Sequence, residues 1–181
     1  QEITKTIMKT KSAASPCPLD QISAISFKRC PILRLHLCKI IQIAWSQKRF
    51  PTCWKSGITI LAYKKGDKTD PANYRPITLQ PVLSKIFTSI IRNRIFTFTA
   101  NNIYIETNIQ KGFWEDISGC VEHTETLSHI IDNARLKQRS AVVTLLDLKN
   151  AFGEVNHNLL YKVLELHHIP DEIIELIKSQ F

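Results

Sequence analysis

The sequence predicts an α+β fold that is mostly helical, with one β-hairpin and one further strand. Three observations carry this expectation. Several stretches place apolar residues at helical spacing, two short runs flank a polar turn-rich loop, and Ala141–Leu146 is an apolar run too short for a helix. The 181 residues are 44% hydrophobic and 22% charged, which suits one soluble globular domain or a large piece of one. Disordered, collagenous and membrane-spanning chains have other compositions, and no apolar run approaches the ~18 residues that span a bilayer.

Residues 1–11 are short, polar and basic, and read as the end of an earlier helix. The prolines of Ser15-Pro16-Cys17-Pro18-Leu19-Asp20 predict an extended loop. Pro31 suits the first position of a helix running to about Gln47, with Leu33, Leu37, Ile40, Ile41 and Ala44 as its apolar face and Arg34, Lys39 and Lys48 mostly off it. Ser56–Lys64 alternates like a strand, Gly66-Asp67-Lys68-Thr69-Asp70-Pro71 supplies a loop, and Arg75–Leu79 is a second, antiparallel strand. Pro81 opens a helix to about Phe98, carrying Leu83, Ile86, Phe87, Ile90 and Ile91. Gln110–Phe113 reads as a short extended link. Ser118 is placed to cap a helix to about Lys137, with Leu127, Ile130, Ile131 and Ala134 inward. Ala141–Leu146 reads as a buried strand ending in Asp147, followed by helices near Asn158–Leu166 and Asp171–Lys178.

Charge is divided unevenly along the chain. Residues 1–100 hold 17 Lys/Arg against 4 Asp/Glu, whereas residues 101–181 hold 7 against 12. A basic half points to a polyanionic partner. The five cysteines, Cys17, Cys30, Cys38, Cys53 and Cys120, are odd in number and form no CxxC pair. They read as reduced, mostly buried thiols of an intracellular protein with no disulfide partner. Cys30, His36 and Cys38 fit no common zinc spacing. His123, His129, His157, His167 and His168 show no ligand spacing either. Residue 1 is Gln and the chain stops within an apolar-periodic stretch, so a fragment of a longer protein is expected.

The chemistry gathers at Asp147. A carboxylate just past a buried strand either caps the following helix or ligates a hard divalent cation such as Mg²⁺. Asp147-Leu148-Lys149-Asn150-Ala151-Phe152 resembles motif A of reverse transcriptases. Upstream, in order, stand Phe50-Pro51-x-x-Trp54-Lys55, Lys64-Lys65-Gly66-Asp67, Asp70-Pro71-x-Asn73-Tyr74-Arg75-Pro76-Ile77-Thr78-Leu79, Pro81-Val82-Leu83-Ser84-Lys85-Ile86-Phe87 and Gln110-x-Gly112-Phe113. Glu122-His123 follows, and after motif A comes Val155-x-His157-x-x-Leu160. Over roughly residues 12–181 this ordered set is similar to the fingers and early palm of a non-LTR (LINE-type) retrotransposon reverse transcriptase, a right-hand polymerase.

The resemblance implies an N-terminal extension (1–11), a fingers region (12–140) and the start of a palm (141–181). Asp147 is then the catalytic, metal-binding aspartate, Leu148 offers a backbone carbonyl to the metal, and the cofactor of the complete enzyme is Mg²⁺. Phe152 matches the aromatic gate against a ribose 2′-hydroxyl. Lys64, Lys65 and Arg75 match the cations that clamp the incoming triphosphate, and their residue types suit phosphate: Arg is a planar fork and Lys a compact point charge. A solvated hairpin edge is the plainer alternative for the lysines, and a core aromatic for Phe152. Gly112 would be needed for its backbone freedom. RNA template, DNA primer and dNTP are the implied partners, with no membrane, in the cytoplasm or nucleus. The sequence departs from the family at Pro16-Cys17-Pro18-Leu19-Asp20, where relatives often have Pro-Gly-Pro-Asp, and at Gly153, where many have Asp. It contains no Tyr/Phe-x-Asp-Asp, the later metal-binding motif. A non-catalytic nucleic-acid-binding remnant is therefore the competing reading.

Overall fold

The computed structural model describes residues 1–11, 18–106, 109–114, 117–148 and 151–181. The element order is α1 (Glu2–Lys9), α2 (Ala24–Arg29), α3 (Pro31–Ser46), β1 (Ile58–Tyr63), β2 (Tyr74–Leu79), α4 (Val82–Asn101), α5 (Gly119–Leu136), α6 (His157–Leu166) and α7 (Asp171–Gln180). Short 3₁₀ turns at Thr52–Trp54 and Pro71–Asn73 precede β1 and β2. The chain divides into two compact units, residues 1–98 with 161–181, and residues 99–160.

The first unit is built around one apolar core. Pro31 occupies the first turn of α3, where its missing N–H has no intrahelical partner to lose. Leu37, Ile41 and Ala44 of that helix are buried, joined by Ile7 of α1, Phe27 of α2, Ile86, Phe87, Ile90 and Ile91 of α4, and Ile173, Ile174 and Leu176 of α7. Phe50, Trp54 and Phe87 lie at its centre, with ring centroids 5.2–6.1 Å apart in tilted or edge-on pairs. Such rings bury large apolar area in a geometry that suits their quadrupoles. The Phe50 N–H donates to Ser179 Oγ at 2.8 Å and Lys48 pairs with Glu175 at 3.1 Å, which fastens α7 to the end of α3.

Several expectations need correction here. Residues 1–11 form the helix expected there, but it is not merely polar, because α1 delivers Ile7 to the core. The helix α2 was not anticipated: six residues are too few to show a periodicity, and the Ser23 Oγ accepting the Ile25 N–H is its main local signal. Arg34 lies off the apolar face as expected, and donates to the carbonyls of Phe27 and Lys28 at 3.4 and 3.2 Å, satisfying the C-terminal end of α2. Leu33 and Ile40, assigned to the buried face of α3, are each 45% exposed. The thiols are less buried than expected. Cys30 and Cys38 are half-buried, Cys53 and Cys120 are exposed, and all four are free. Cys17 and the loop departure at 12–17 lie outside the described residues.

β1 and β2 form the antiparallel hairpin that the alternation predicts, with Ile58 opposite Leu79, Ile60 opposite Ile77 and Tyr63 opposite Tyr74. Ile60, Leu61 and Ile77 stay 45–63% exposed, so neither face is closed by a second layer.

In the second unit α5 spans the predicted residues, but Ser118 makes no side-chain cap and the helix buries no residue. Leu127, Ile131 and Ala134 are half-buried, while Ile130 is 52% exposed. The predicted buried strand at Ala141–Leu146 is not formed. The segment is irregular and exposed, with Val142, Leu145 and Leu146 at 87–94% exposure. A strand needs an edge to pair with, and among the described residues the only sheet is β1–β2.

Candidate functional site

The predicted site residues fall into the two units: Lys64, Lys65 and Arg75 in the first, Asp147, Leu148 and Phe152 in the second.

Lys64 and Lys65 follow β1 directly, and Arg75 is the second residue of β2, opposite Ala62. All three are exposed, and among the described residues no carboxylate pairs with them. The loop between the strands is tightly ordered. Its base is closed by the Lys64 N–H on the Asn73 carbonyl at 2.8 Å. The Asp70 carboxylate accepts from the Ala72 N–H at 2.9 Å and starts the 3₁₀ turn that leads into β2. Asp67 Oδ1 accepts from the Thr69 N–H and hydroxyl, both at 2.8 Å, and these bonds hold its carboxyl below the ordinary carboxylate range. Gly66 has φ +96°, a left-handed conformation that favours glycine. The tip thus exposes four cations, Lys64, Lys65, Lys68 and Arg75, against two carboxylates, Asp67 and Asp70, each bonded within the loop. That is an anion-receiving arrangement.

Two tyrosines missed by sequence reasoning belong to this tip. Tyr63 and Tyr74 end the paired register with ring centroids 5.6 Å apart. The Tyr63 hydroxyl donates to the Gly66 carbonyl at 2.6 Å, and that of Tyr74 to the Lys68 carbonyl at 2.8 Å. Lys68 Nζ lies 5.8 Å from the Tyr63 ring centroid. Two tyrosines closing a hairpin loop were the available signal.

In the second unit, Asp147 is exposed and Leu148 is 78% exposed. Lys149 and Asn150 of the same motif lie outside the described residues. Among the described residues no three His, Cys, Asp or Glu side chains gather to hold a metal ion. One carboxylate and one carbonyl are part of a Mg²⁺ donor set, the rest of which waters, substrate phosphates or other residues would have to supply. Phe152 is not a core aromatic. It is 86% exposed and meets Phe113 edge-on at 6.4 Å. Gly112 and Phe113 lie in a turn at the end of the expected extended link, and the left-handed residue is Phe113 at φ +68°, not Gly112. The turn is held to α5 by Lys111 Nζ at 2.6 Å from Glu122 Oε2. Gly119 permits the approach, since a Cβ there would overlap Lys111 Cβ.

The chain is thus rich in helices, with a cation-tipped hairpin in one unit and an exposed aspartate and aromatic in the other. Comparison with known proteins makes this specific. The reverse transcriptase (RNA-dependent DNA polymerase) family matches residues 63–181, a stretch that holds every predicted site residue, and the chain belongs to that family. It is 47% identical over 134 residues to a probable RNA-directed DNA polymerase from the transposon X-element of Drosophila melanogaster, covering 72% of this chain and 14% of the relative. It is 34% identical over 132 residues to the RNA-directed DNA polymerase from the mobile element jockey of the same species, again 72% and 14%. A Pol polyprotein from the type-1 retrotransposable element R2 of Nasonia vitripennis is 30% identical over 115 residues, 64% of this chain and 11% of the relative. The resemblance to reverse transcriptases of non-LTR retrotransposons is thus borne out. The chain spans between 11% and 19% of the length of these and similar relatives. No helix among the described residues is long and apolar enough to cross a membrane.

Proposed function

We propose that the chain is a segment of a retrotransposon RNA-directed DNA polymerase, with its fingers in residues 12–140, the start of its palm in 141–181 and an N-terminal extension in 1–11. In this reading Lys64, Lys65 and Arg75 receive the triphosphate of an incoming dNTP, and Phe152 crowds the ribose 2′ position so that dNTPs are preferred. Asp147 and the Leu148 carbonyl contribute to a Mg²⁺ site whose remaining donors come from other residues. RNA template and DNA primer are the partners, and further exposed cations such as Arg49 and Lys85 suit their phosphates. The protein acts inside the cell, in cytoplasm or nucleus.

The observation that supports the reading best is the ordered hairpin tip, which presents lysines and an arginine without carboxylate partners among the described residues. The test is a jockey polymerase in which residues 63–181 of this chain replace the matching segment. Asp147→Ala abolishes primer extension there while RNA binding persists, and unchanged extension sinks the assignment.

A second reading is favoured by the sparse donor set around Asp147: the 181 residues hold nucleic acid without chemistry. The purified chain then shows no Mg²⁺-dependent primer extension. Extension that disappears on Asp147→Ala excludes this second reading.

A further inference from the structure

The hairpin tip turns three consecutive carbonyls toward side chains from the strand ends. Gly66 O accepts from the Tyr63 hydroxyl at 2.6 Å, Asp67 O from Asn73 Nδ2 at 2.9 Å and Lys68 O from the Tyr74 hydroxyl at 2.8 Å. Residues 64–73 form a ten-residue loop, and a loop of that length without ties samples many backbone states. Here Tyr63 and Tyr74 stand on the last pair of the β1–β2 register and Asn73 immediately precedes it, so the loop is fixed to the sheet and not merely to itself.

We infer that Tyr63, Asn73 and Tyr74 are positioning residues for phosphate binding at the tip, a role that rests on the triphosphate reading above. The argument is electrostatic and entropic. A carbonyl oxygen carries partial negative charge, and three of them free to face an incoming polyphosphate would oppose it. Occupied by phenol and amide donors, they no longer add to the charges of Asp67 and Asp70, which Lys64, Lys65, Lys68 and Arg75 outnumber. Fixing the backbone beforehand also leaves only lysine and arginine side-chain freedom to be lost on binding. The tyrosine rings and hydroxyls are separable in this arrangement: the rings pack on each other, and only the hydroxyls reach the carbonyls.

The experiment is an amide-resolved NMR titration of the full 181-residue chain with inorganic triphosphate at low salt. It compares the unmodified chain, the Tyr63→Phe/Tyr74→Phe double variant, and Lys64→Ala/Lys65→Ala/Arg75→Ala. The double variant is expected to bind about 10-fold more weakly, a loss equivalent to about 1.4 kcal/mol. Slow amide exchange across Ile60 and Ile77 should be unchanged, which separates positioning from loss of the hairpin. Equal affinity with an intact register overturns the inference. If the double variant loses its register, Asn73→Ser, which frees only the Asp67 carbonyl, carries the same comparison with the same two outcomes. A triple cation variant that binds as well as the unmodified chain overturns the triphosphate reading itself, whatever the tyrosines do.

Discussion

The two units solve the problem of apolar surface in opposite ways. In residues 1–98 with 161–181, helices α1–α4 and α7 direct Ile7, Leu37, Ile41, Phe87, Ile90 and Ile174 into one core, each at most 2% exposed. In residues 99–160, α5 buries nothing and Leu136, Val142, Leu145 and Leu146 are 85–94% exposed. Local pattern is adequate in both, so it does not make the difference. Cooperative packing needs at least two apolar faces aimed at one another, and among the described residues of the second unit α5 is the one complete helix, beside irregular chain. The predicted site residues divide along the same line: the cation-tipped hairpin belongs to the packed unit, whereas Asp147 and Phe152 belong to the open one.

The largest effect that sharpens this contrast is expected at the aromatic centre. Phe87→Ala should remove about 3–5 kcal/mol, the range for emptying a packed phenylalanine site, in urea unfolding followed by circular dichroism. Leu145→Ala should change stability by less than ~0.5 kcal/mol. Comparable losses for the two would show that residues 141–146 are packed after all and would break the comparison.

Intermediate effects are expected at two glycines, one in each unit. Gly119→Ala drives a Cβ into Lys111 and should loosen the Lys111–Glu122 tie, at about 1–3 kcal/mol of local stability read by hydrogen exchange around residues 111–122. Gly66→Ala must hold φ +96° and meet the Asn73 amide, so about 1–2 kcal/mol is expected at the hairpin tip. An exchange pattern indifferent to Gly119→Ala would mean that the second unit lacks even this seat.

The smallest effect concerns an exposed ion pair of the first unit. Arg94 Nη2 lies 2.7 Å from Glu2 Oε2 and its guanidinium stacks 4.1 Å over Trp45. The Arg94 hydrogen bonds lower the Glu2 pKa, and those to Glu2 raise that of Arg94. Because the folded-state pKa of Glu2 is depressed, its stabilisation is present above the unfolded carboxylate pKa. It is lost as pH falls through the folded value. Glu2→Gln should therefore flatten the acid limb of the stability profile by about 0.2–1 kcal/mol, as for exposed pairs generally, with no change at neutral pH beyond that amount. An acid limb identical in the two proteins would assign the pair no energetic role.

What could be read from sequence follows the same division. Pro31, the alternation of Ile58–Tyr63 and the spacing of Leu83–Ile91 are local signals, and the elements they announce are present within a few residues. Ala141–Leu146 failed because a buried strand is defined by its neighbour, which no local run contains. The partners of Arg34 were not legible for a related reason: the carbonyls it serves belong to α2, a helix too short to announce itself. At the site, exposure of Lys64, Lys65 and Arg75 was legible, since cations beside a Gly-Asp turn have little else to do. The roles of Tyr63, Asn73 and Tyr74 were not, because hydrogen bonds to loop carbonyls depend on three-dimensional closure. The backbone freedom assigned to Gly112 belongs to Phe113, one residue on, a shift that composition does not reveal.

The placement of the three tryptophans has an optical consequence. Trp54 is 4% exposed among Phe50 and Phe87, Trp45 is half-buried under Arg94 and edge-on to Phe87, and Trp114 belongs to the other unit. Intrinsic emission therefore carries separate signatures for the two units. Quenching and red shift of Trp45 and Trp54 follow the packed core, and a chain with Trp114→Phe becomes a fluorophore for that core alone. The molecule holds its own spectroscopic ruler for asking whether its two halves melt together or apart.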